Sequence, residues 1–403
     1  MLRETRFGCL NSRWRDAGKI KDRPVILGSL RIGDGCKSFP NSGSTMNASR
    51  WDVTRCSGKL EELASVIEGA KRKRILILCH NNPDPDSIAG AYGLQFLLKK
   101  KFGIRTVIGY GGVVTRAENK AMIQRLRIKM TQLPRIEPGK YYGIALIDAQ
   151  PGTGNNLMGS RHKPPLIVID HHPVRKLSTK AQFRDIRPGY GATSTIVTEY
   201  LVAADLTPTR SVANALLYGI KTDTDALVRD SSKADLQAFS YLFPLTNPRV
   251  LGGIERPPLS PAYLGEYQRA LALTTLRRDV AVSYLGQIDS EAIIPEMADV
   301  LLRIEGVTWS LCLGEKNGLM IISCRSTSRS HKAGIVLRRL IGTNGSAGGH
   351  KCMAGGQVPL NGLSSAERKD LASKLVDRFL KLIKRDGINP RPIFGATDAG
   401  EDH

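Results

Sequence analysis

Four stretches of this chain place carboxylates and imidazoles where a fold could use them. The run RILILCHNNPDPD ends an apolar segment on His80 and follows it with Asp84 and Asp86. YGIALID ends on Asp148, LIVIDHH on Asp170, His171 and His172, and SVANALLYGIKTDTD on Asp223 and Asp225. Three of the chain's seven histidines fall in these stretches, so the imidazoles are concentrated where the acids are. Histidine with several aspartates is a mixed nitrogen–oxygen donor set, suited to Mn²⁺, Mg²⁺ or Fe²⁺ rather than to a thiolate-preferring metal. Asp-x-Asp can turn one carboxylate toward each of two ions about 3.5–4 Å apart while another acid bridges them. Taken singly, each feature has an ordinary explanation: a helix cap, a strand end, a surface pair. Their joint occurrence, most of them directly after a buried-looking strand, points to a metal centre.

The elements that would position these residues can be read from pattern. Short apolar runs without alternation, RILILC, RTVIGY, YGIALI and LIVI, read as strands buried on both faces of a parallel sheet. Between and after them lie helical stripes: KLEELASVIEGAKRK, SIAGAYGLQFLLKKK, ENKAMIQRLRIKM, TSTIVTEYLVAAD and SVANALLYGIKTD. Alternation of this kind predicts a doubly wound parallel α/β sheet with helices on both faces. In such sheets ligands bind at the carboxyl ends of the strands, which brings the acids and histidines to one rim. The proline-rich stretch NPRVLGGIERPPLSP, residues 247–261, marks a boundary. Beyond it YLGEYQRALALTTLRR reads as helix, and DVAVSYLG, VTWSLCLG and LMIISCR as strands. The glycine-rich GTNGSAGGHKCMAGGQ interrupts, and SSAERKDLASKLVDRFLKLIKRDG closes as a long helix with a capping box at Ser364 and Glu367. The expected organisation is a poorly ordered basic extension over 1–55, a catalytic domain over 56–246 and a linker over 247–262. A smaller α/β domain over 263–388 closes over an interdomain cleft, and a patternless tail covers 389–403.

Composition narrows the function class. Of 403 residues, 59 are Lys or Arg and 37 Asp or Glu, a net charge of +22, which favours polyanionic partners such as nucleic acid, nucleotides or polyphosphate. Residues 1–55 alone carry eleven basic and five acidic residues. Seven scattered cysteines with no CxxC pair argue against a disulfide framework and a structural zinc site. No apolar run approaches the roughly 20 residues of a membrane span. The first residues lack the apolar core of a signal peptide, so a cytoplasmic location and no membrane partner are expected.

HNNPDPDSIAG, ALIDAQPG, VIDHHP and LLYGIKTDTDAL resemble, in order, the four motifs of the DHH phosphoesterase family. Its members include RecJ-like exonucleases, nucleases of short oligoribonucleotides that also act on 3′-phosphoadenosine-5′-phosphate, family II pyrophosphatases and exopolyphosphatases. AGGHKCMAGG resembles the glycine-rich motif of the family's accessory C-terminal domain, which points toward the branch acting on nucleotides and oligonucleotides. The resemblance covers about residues 56–385. It implies His80 and Asp84 as ligands of one metal, Asp86, His171 and Asp223 as ligands of a second, and Asp148 as the bridge. It further implies His172 at the scissile phosphate or leaving group, and Asp170 as the acid orienting the histidines. Asp225 has no counterpart. In the accessory domain, Gly348, Gly349 and His350 are implied in substrate binding, although Ala347 stands where the family has a further glycine and Met353 where it has a small residue. Arg325, in CRSTSRSHK, is the expected cation facing the cleft; Arg329 and His331 are weaker candidates. The implied activity is metal-dependent hydrolysis, most naturally with two Mn²⁺ ions (Mg²⁺ or Fe²⁺ as alternatives), of phosphodiester or phosphomonoester bonds in short single-stranded nucleic acid or nucleotides, by water activated between the ions. A homodimer is compatible. The alternatives are an exopolyphosphatase, a cyclic-dinucleotide phosphodiesterase, or a nucleic-acid-binding protein without activity.

Overall fold

The chain divides into two units, Met1–Thr45 and Met46–His403. The computed structural model describes residues 54–394 of the second, apart from 138, 160, 161, 328–331, 350 and 351. Of the basic extension expected over 1–55, only Thr54 and Arg55 are described, and they open helix α1 (Thr54–Ile67). The rest of that expectation lies outside the described residues.

The first sheet is six-stranded and wholly parallel. Its strands are β1 (Ile75–Leu78), β2 (Thr106–Tyr110), β3 (Met130–Gln132), β4 (Gly143–Ile147), β5 (Ile167–Asp170) and β6 (Phe183–Ile186), in spatial order 3-2-1-4-5-6. Every residue of β1 and β5 is buried, as uninterrupted apolar runs require. On one face Ile75, Ile77, Ala145, Ile147 and Ile169 pack against α1, α2 (Pro85–Phe102), α4 (Thr193–Ala203) and α5 (Arg210–Asp223). On the other face Ile136 and Met158, from the β3–β4 and β4–β5 connections, close over Leu76, Leu78, Leu146 and Val168.

Three elements differ from the sequence reading. The stripe ENKAMIQRLRIKM splits: α3 (Ala117–Leu126) stops at Arg127, whose left-handed backbone turns the chain into β3. Strand β6 was not anticipated, since Arg184 is exposed and Ile186 half-buried, which breaks the apolar run. The proline-rich boundary is largely helical: α7 (Pro248–Glu255) starts on an Asn247 cap with Pro248 in its first turn, where proline's missing N–H costs nothing.

The C-terminal part is a seven-stranded sheet in the order β11-β12-β10-β9-β8-β7-β13. Its strands are β7 (Thr274–Arg277), β8 (Val280–Gln287), β9 (Trp309–Lys316), β10 (Leu319–Ser326), β11 (Ser346–Gly349), β12 (Met353–Pro359) and β13 (Arg391–Pro392). Helices α8 (Pro261–Ala272) and α9 (Ile293–Leu301) cover one face. Helices α10 (Ala333–Ile341) and α11 (Ser365–Leu382) cover the other. Three readings change. TTLR leaves the predicted helix to become β7, the glycine-rich stretch forms the β11–β12 pair, and the tail contributes β13, which pairs with β7.

Candidate metal centre

The strand order of the first sheet reverses between β1 and β4, which pair with each other while their following strands run outward in opposite directions. At such a switch point the two emerging loops diverge and leave a crevice. His80 follows β1 and Asp148 follows β4, so the crevice opens between them. Asp148 has a left-handed backbone, φ +54, an unfavourable conformation for a side-chain-bearing residue that turns its carboxylate back over the sheet edge. It is 1% exposed. Thr193 Oγ1 donates to Asp148 Oδ1 at 3.0 Å.

Each remaining acid is fixed by a helix end. Asp84 caps α2: Oδ1 accepts from Ser87 N at 2.9 Å. Its Oδ2 lies 3.4 Å from His80 Nε2. Asp86, in the first turn of α2, accepts from the first amides of α4, Thr193 N at 2.7 Å and Ser194 N at 2.8 Å. Those amides carry the positive end of the helix dipole. Asp223 is the last residue of α5. That helix approaches α2 and α4 so closely at Gly219 that a Cβ there would lie 2.4 Å from Ser194 Oγ and 3.1 Å from Asp86 Cα. One turn later Asp223 Oδ2 is 3.3 Å from His171 Nε2.

Hydrogen bonds on the far ring edges settle two tautomers. His80 Nδ1 contacts the Asn81 carbonyl at 2.8 Å and His171 Nδ1 the Tyr190 carbonyl at 3.1 Å. A carbonyl only accepts, so both Nδ1 atoms carry the proton, and in the neutral ring both Nε2 atoms present a lone pair to the acids. His172 is oriented differently. Its Nδ1 donates to Asp170 Oδ1 at 2.7 Å and its backbone N donates to the same oxygen at 3.2 Å. Nδ1 is therefore spent, although it lies 3.6 Å from Asp148 Oδ1.

Seven of the eight residues fall into three groups, of which Asp148, His171 and His172 form the one that overlaps the other two. His80, Asp84 and Asp148 form one triad with ligand atoms mutually within 4.8 Å, and Asp86, His171 and Asp223 form a second. Asp148 reaches toward both, with Oδ2 at 3.6 Å from His80 Nε2 and Oδ1 at 3.5 Å from His171 Nε2. The buried atoms Asp148 Oδ2 and His171 Nε2 have no hydrogen-bond partner. Leaving such atoms unmatched is costly, unless a cation is meant to sit between them.

The charge balance says the same. Burial pushes Asp148 well above the usual carboxylate range, reinforced by Asp84, Asp86, Asp170 and Asp223. Burial and the Asp223 charge raise Asp86 to about 7. Burial lowers the imidazoles, but the carboxylates beside them outweigh it. His80 rises to about 9, chiefly through Asp84, and His171 to about 10, chiefly through Asp223. Asp84 and Asp170 go down despite burial, through His80 and His172 respectively. Asp86, Asp148, His80 and His171 are all shifted toward their protonated forms, so the cluster binds protons when no other cation is supplied. The carboxylate oxygens and the two imidazole lone pairs fit hard or borderline divalent ions.

Sequence pattern missed several supporting residues. Thr193 and the Tyr190 carbonyl lie in a stretch with no motif of their own. Gln150, 1% exposed, donates to Asp170 Oδ2 at 2.5 Å. Its signal was present in ALIDAQPG, where a glutamine follows the acid by two positions.

In the C-terminal part, strand register sets Arg325 opposite Met353 and Gly349 opposite Ala354. Gly349 is required, because with φ +145 its Cβ would meet Met353 O at 2.4 Å. Gly348 lies on the exposed edge strand with open space around it. Arg325 differs from the expected cation facing a cleft. It is 6% exposed and bonds Asp299 through Nε, with Nη1 donating to Ser323 Oγ at 2.7 Å and to the Cys324 carbonyl at 3.1 Å. Asp299 in turn meets Arg116, which precedes α3, at 3.4 Å. Burial beneath α9 turned the guanidinium inward, onto acceptors its own domain supplies. His350, Arg329 and His331 lie outside the described residues.

Comparison with known proteins agrees with this architecture. The profile of the DHH family, N-terminal domain, matches residues 74–220, and that of the DHHA1 domain matches 278–382. An uncharacterized protein of Methanocaldococcus jannaschii is 34% identical over 387 residues, 91% of this chain and 78% of that protein. A probable manganese-dependent inorganic pyrophosphatase of Streptococcus pyogenes is 28% identical over 156 residues, 38% of this chain and 48% of its own length. Among solved structures, an exopolyphosphatase-related protein from Bacteroides fragilis superposes with a TM-score of 0.62 at 16% identity, covering 81% of this chain and 98% of that one; the likeness is one of fold.

Proposed function

The chain belongs to the DHH family, and on that premise we propose that it hydrolyses short oligonucleotides or small nucleotides such as 3′-phosphoadenosine-5′-phosphate, using two divalent ions, Mn²⁺ by preference. The coarser statement, a DHH phosphoesterase with a divalent-metal site, rests on the family match and on the cluster itself. One observation carries the finer reading. Two ligand triads meet at a buried aspartate whose Oδ2 has no hydrogen-bond partner.

In this reading His80 and Asp84 would hold one ion, Asp86, His171 and Asp223 the other, and Asp148 both. Bound between these residues, two divalent ions would lower the pKa of a shared water and neutralise phosphoryl oxygens. The chain's own residues do the rest. The Asn81 and Tyr190 carbonyls keep protons on the outer nitrogens of His80 and His171, so the inner lone pairs stay available. Asp170 holds a proton on His172 Nδ1 and orients the ring; Nε2, on the opposite ring edge, would address the scissile phosphate or the leaving oxygen. His172 is 28% exposed on its side chain, more than the ligands His80 and His171, as a group that meets substrate should be. The C-terminal part would hold the remainder of the substrate at the β10–β12–β11 edge. Gly348 and Gly349 expose backbone there, His350 would add a donor, and Arg325 would contribute on exchanging its partner Asp299. The net charge of +22 favours a polyanionic substrate.

The test is side-by-side hydrolysis with Mn²⁺ of dinucleotides, longer oligonucleotides, 3′-phosphoadenosine-5′-phosphate, inorganic pyrophosphate and polyphosphate. Fastest turnover of dinucleotides or the bisphosphate supports the reading. A preference for pyrophosphate or polyphosphate would replace it.

A further inference from the structure

We infer that Gln150 is a positioning residue for His172, acting through Asp170 and separable from the metal ligands. The inference rests on the reading of His172 given above. Gln150 follows the bridging acid by two residues, yet its side chain turns away from the ligand triads. Its amide nitrogen donates to Asp170 Oδ2 at 2.5 Å and to the carbonyls of Pro173 at 3.2 Å and His172 at 3.5 Å. Its amide oxygen accepts from Arg175 N at 2.7 Å and Ser178 Oγ at 2.8 Å. All five contacts fall on one segment, residues 170–178, which carries His172 at its bend.

The backbone of Gln150 is itself anchored. Its carbonyl accepts from Thr153 Oγ1 at 2.8 Å and from Asn156 Nδ2 at 2.9 Å. A glutamine so held offers a fixed donor at a fixed height over the sheet edge. Asp170 then divides its two oxygens: Oδ2 is taken by Gln150, and Oδ1 is left for the ring and backbone of His172. Without the glutamine, Asp170 could rotate and share either oxygen with His172, and the ring would lose its single orientation. Catalysis is sensitive to such losses, because about 1 Å of misplacement can cost 10²-fold. The neutral amide matters too, since a second carboxylate here would face Asp170 directly.

A role confined to His172 has a consequence that general structural support does not: it vanishes when His172 is gone. Four proteins are compared with a dinucleotide and Mn²⁺: wild type, Gln150→Met, His172→Ala and the double variant. Gln150→Met is expected to lower kcat about 10- to 100-fold, as loss of outer-shell partners does, with KM and bound metal unchanged. In the His172→Ala background the same substitution is expected to cost less than about threefold. Ser178→Ala removes one anchor of the Gln150 oxygen and should show a smaller loss of the same kind; it decides the matter if Gln150→Met fails to fold. Equal losses in both backgrounds, or loss of metal, would overturn the inference, as would a fully active Gln150→Met beside a crippled His172→Ala. Wild-type turnover by His172→Ala would instead overturn the reading of His172 itself.

Discussion

Replacing Asp148 by Asn separates the two things its carboxylate does. In the metal-free protein it adds negative charge to a buried cluster that already contains Asp84, Asp86, Asp170 and Asp223, which is why it is held far above its ordinary range. A neutral amide of the same shape relieves that repulsion. The metal-free variant should therefore be more stable than wild type at pH 8. With metal the order should invert. Asp148 Oδ1 and Oδ2 face different triads, whereas Asn has one weak oxygen donor. Ions at 100 times their dissociation constant stabilise a folded protein by about 2.7 kcal/mol per site, and a variant unable to retain them forfeits that. The assay is thermal unfolding across a Mn²⁺ titration, with turnover measured alongside. Wild type should gain about 5 °C or more with Mn²⁺, Asp148→Asn little, and turnover should fall on the order of 10³-fold. A variant with a wild-type Mn²⁺ response and wild-type turnover would refute the bridge; one less stable than wild type without metal would refute the charge argument.

Other expectations follow from the same geometry. In chelated protein, stability should decline on the order of 2 kcal/mol from pH 6 to 9, because Asp86, at about 7, and His80, at about 9, bind protons more tightly folded than unfolded and lose that advantage as pH rises. Mn²⁺ should flatten or reverse the trend, and a metal-free melting temperature that rises over this window would contradict it. Gly219→Ala should cost about 1–3 kcal/mol and weaken metal retention, since its methyl would push α5, and Asp223 with it, away from α2 and α4; an unchanged melting temperature and metal content would count against that packing. Arg325→Met should lower stability by about 1–3 kcal/mol, by leaving Ser323 and the Cys324 carbonyl without their Arg325 donor and Asp299 with Arg116 alone, while metal content stays unchanged; loss of metal would mean the two parts are coupled.

The sequence made β1, β2, β4 and β5 legible because the centre of the first sheet is buried on both faces and spells uninterrupted apolar runs. The ligands were legible for a related reason: strand ends are where loops begin, and polar residues after an apolar run stand out. What pattern could not show was partnership. Arg325 reads as a cation at a strand end, but Asp299, which claims it, lies 26 residues away in a helix with no distinguishing motif. Gln150 reads as one more loop residue until Asp170 is seen beside it. The β11–β12 pair was hidden by glycine, which weakens any strand signal, and β3 was absorbed into the helical stripe before it. Ile136 and Met158, which close over the second face of the first sheet, lie in connections between strands, and such contacts have no period to read.

The most direct test of the proposed two-ion centre is metal content. Protein stripped with chelator, reloaded with Mn²⁺, freed of excess by gel filtration and assayed by mass spectrometry should retain two Mn²⁺ per chain. Asp223→Ala should retain one, because only the triad of Asp86, His171 and Asp223 is broken. Retention of one ion or none by the wild-type protein, or of two by the Asp223 variant, would contradict the account.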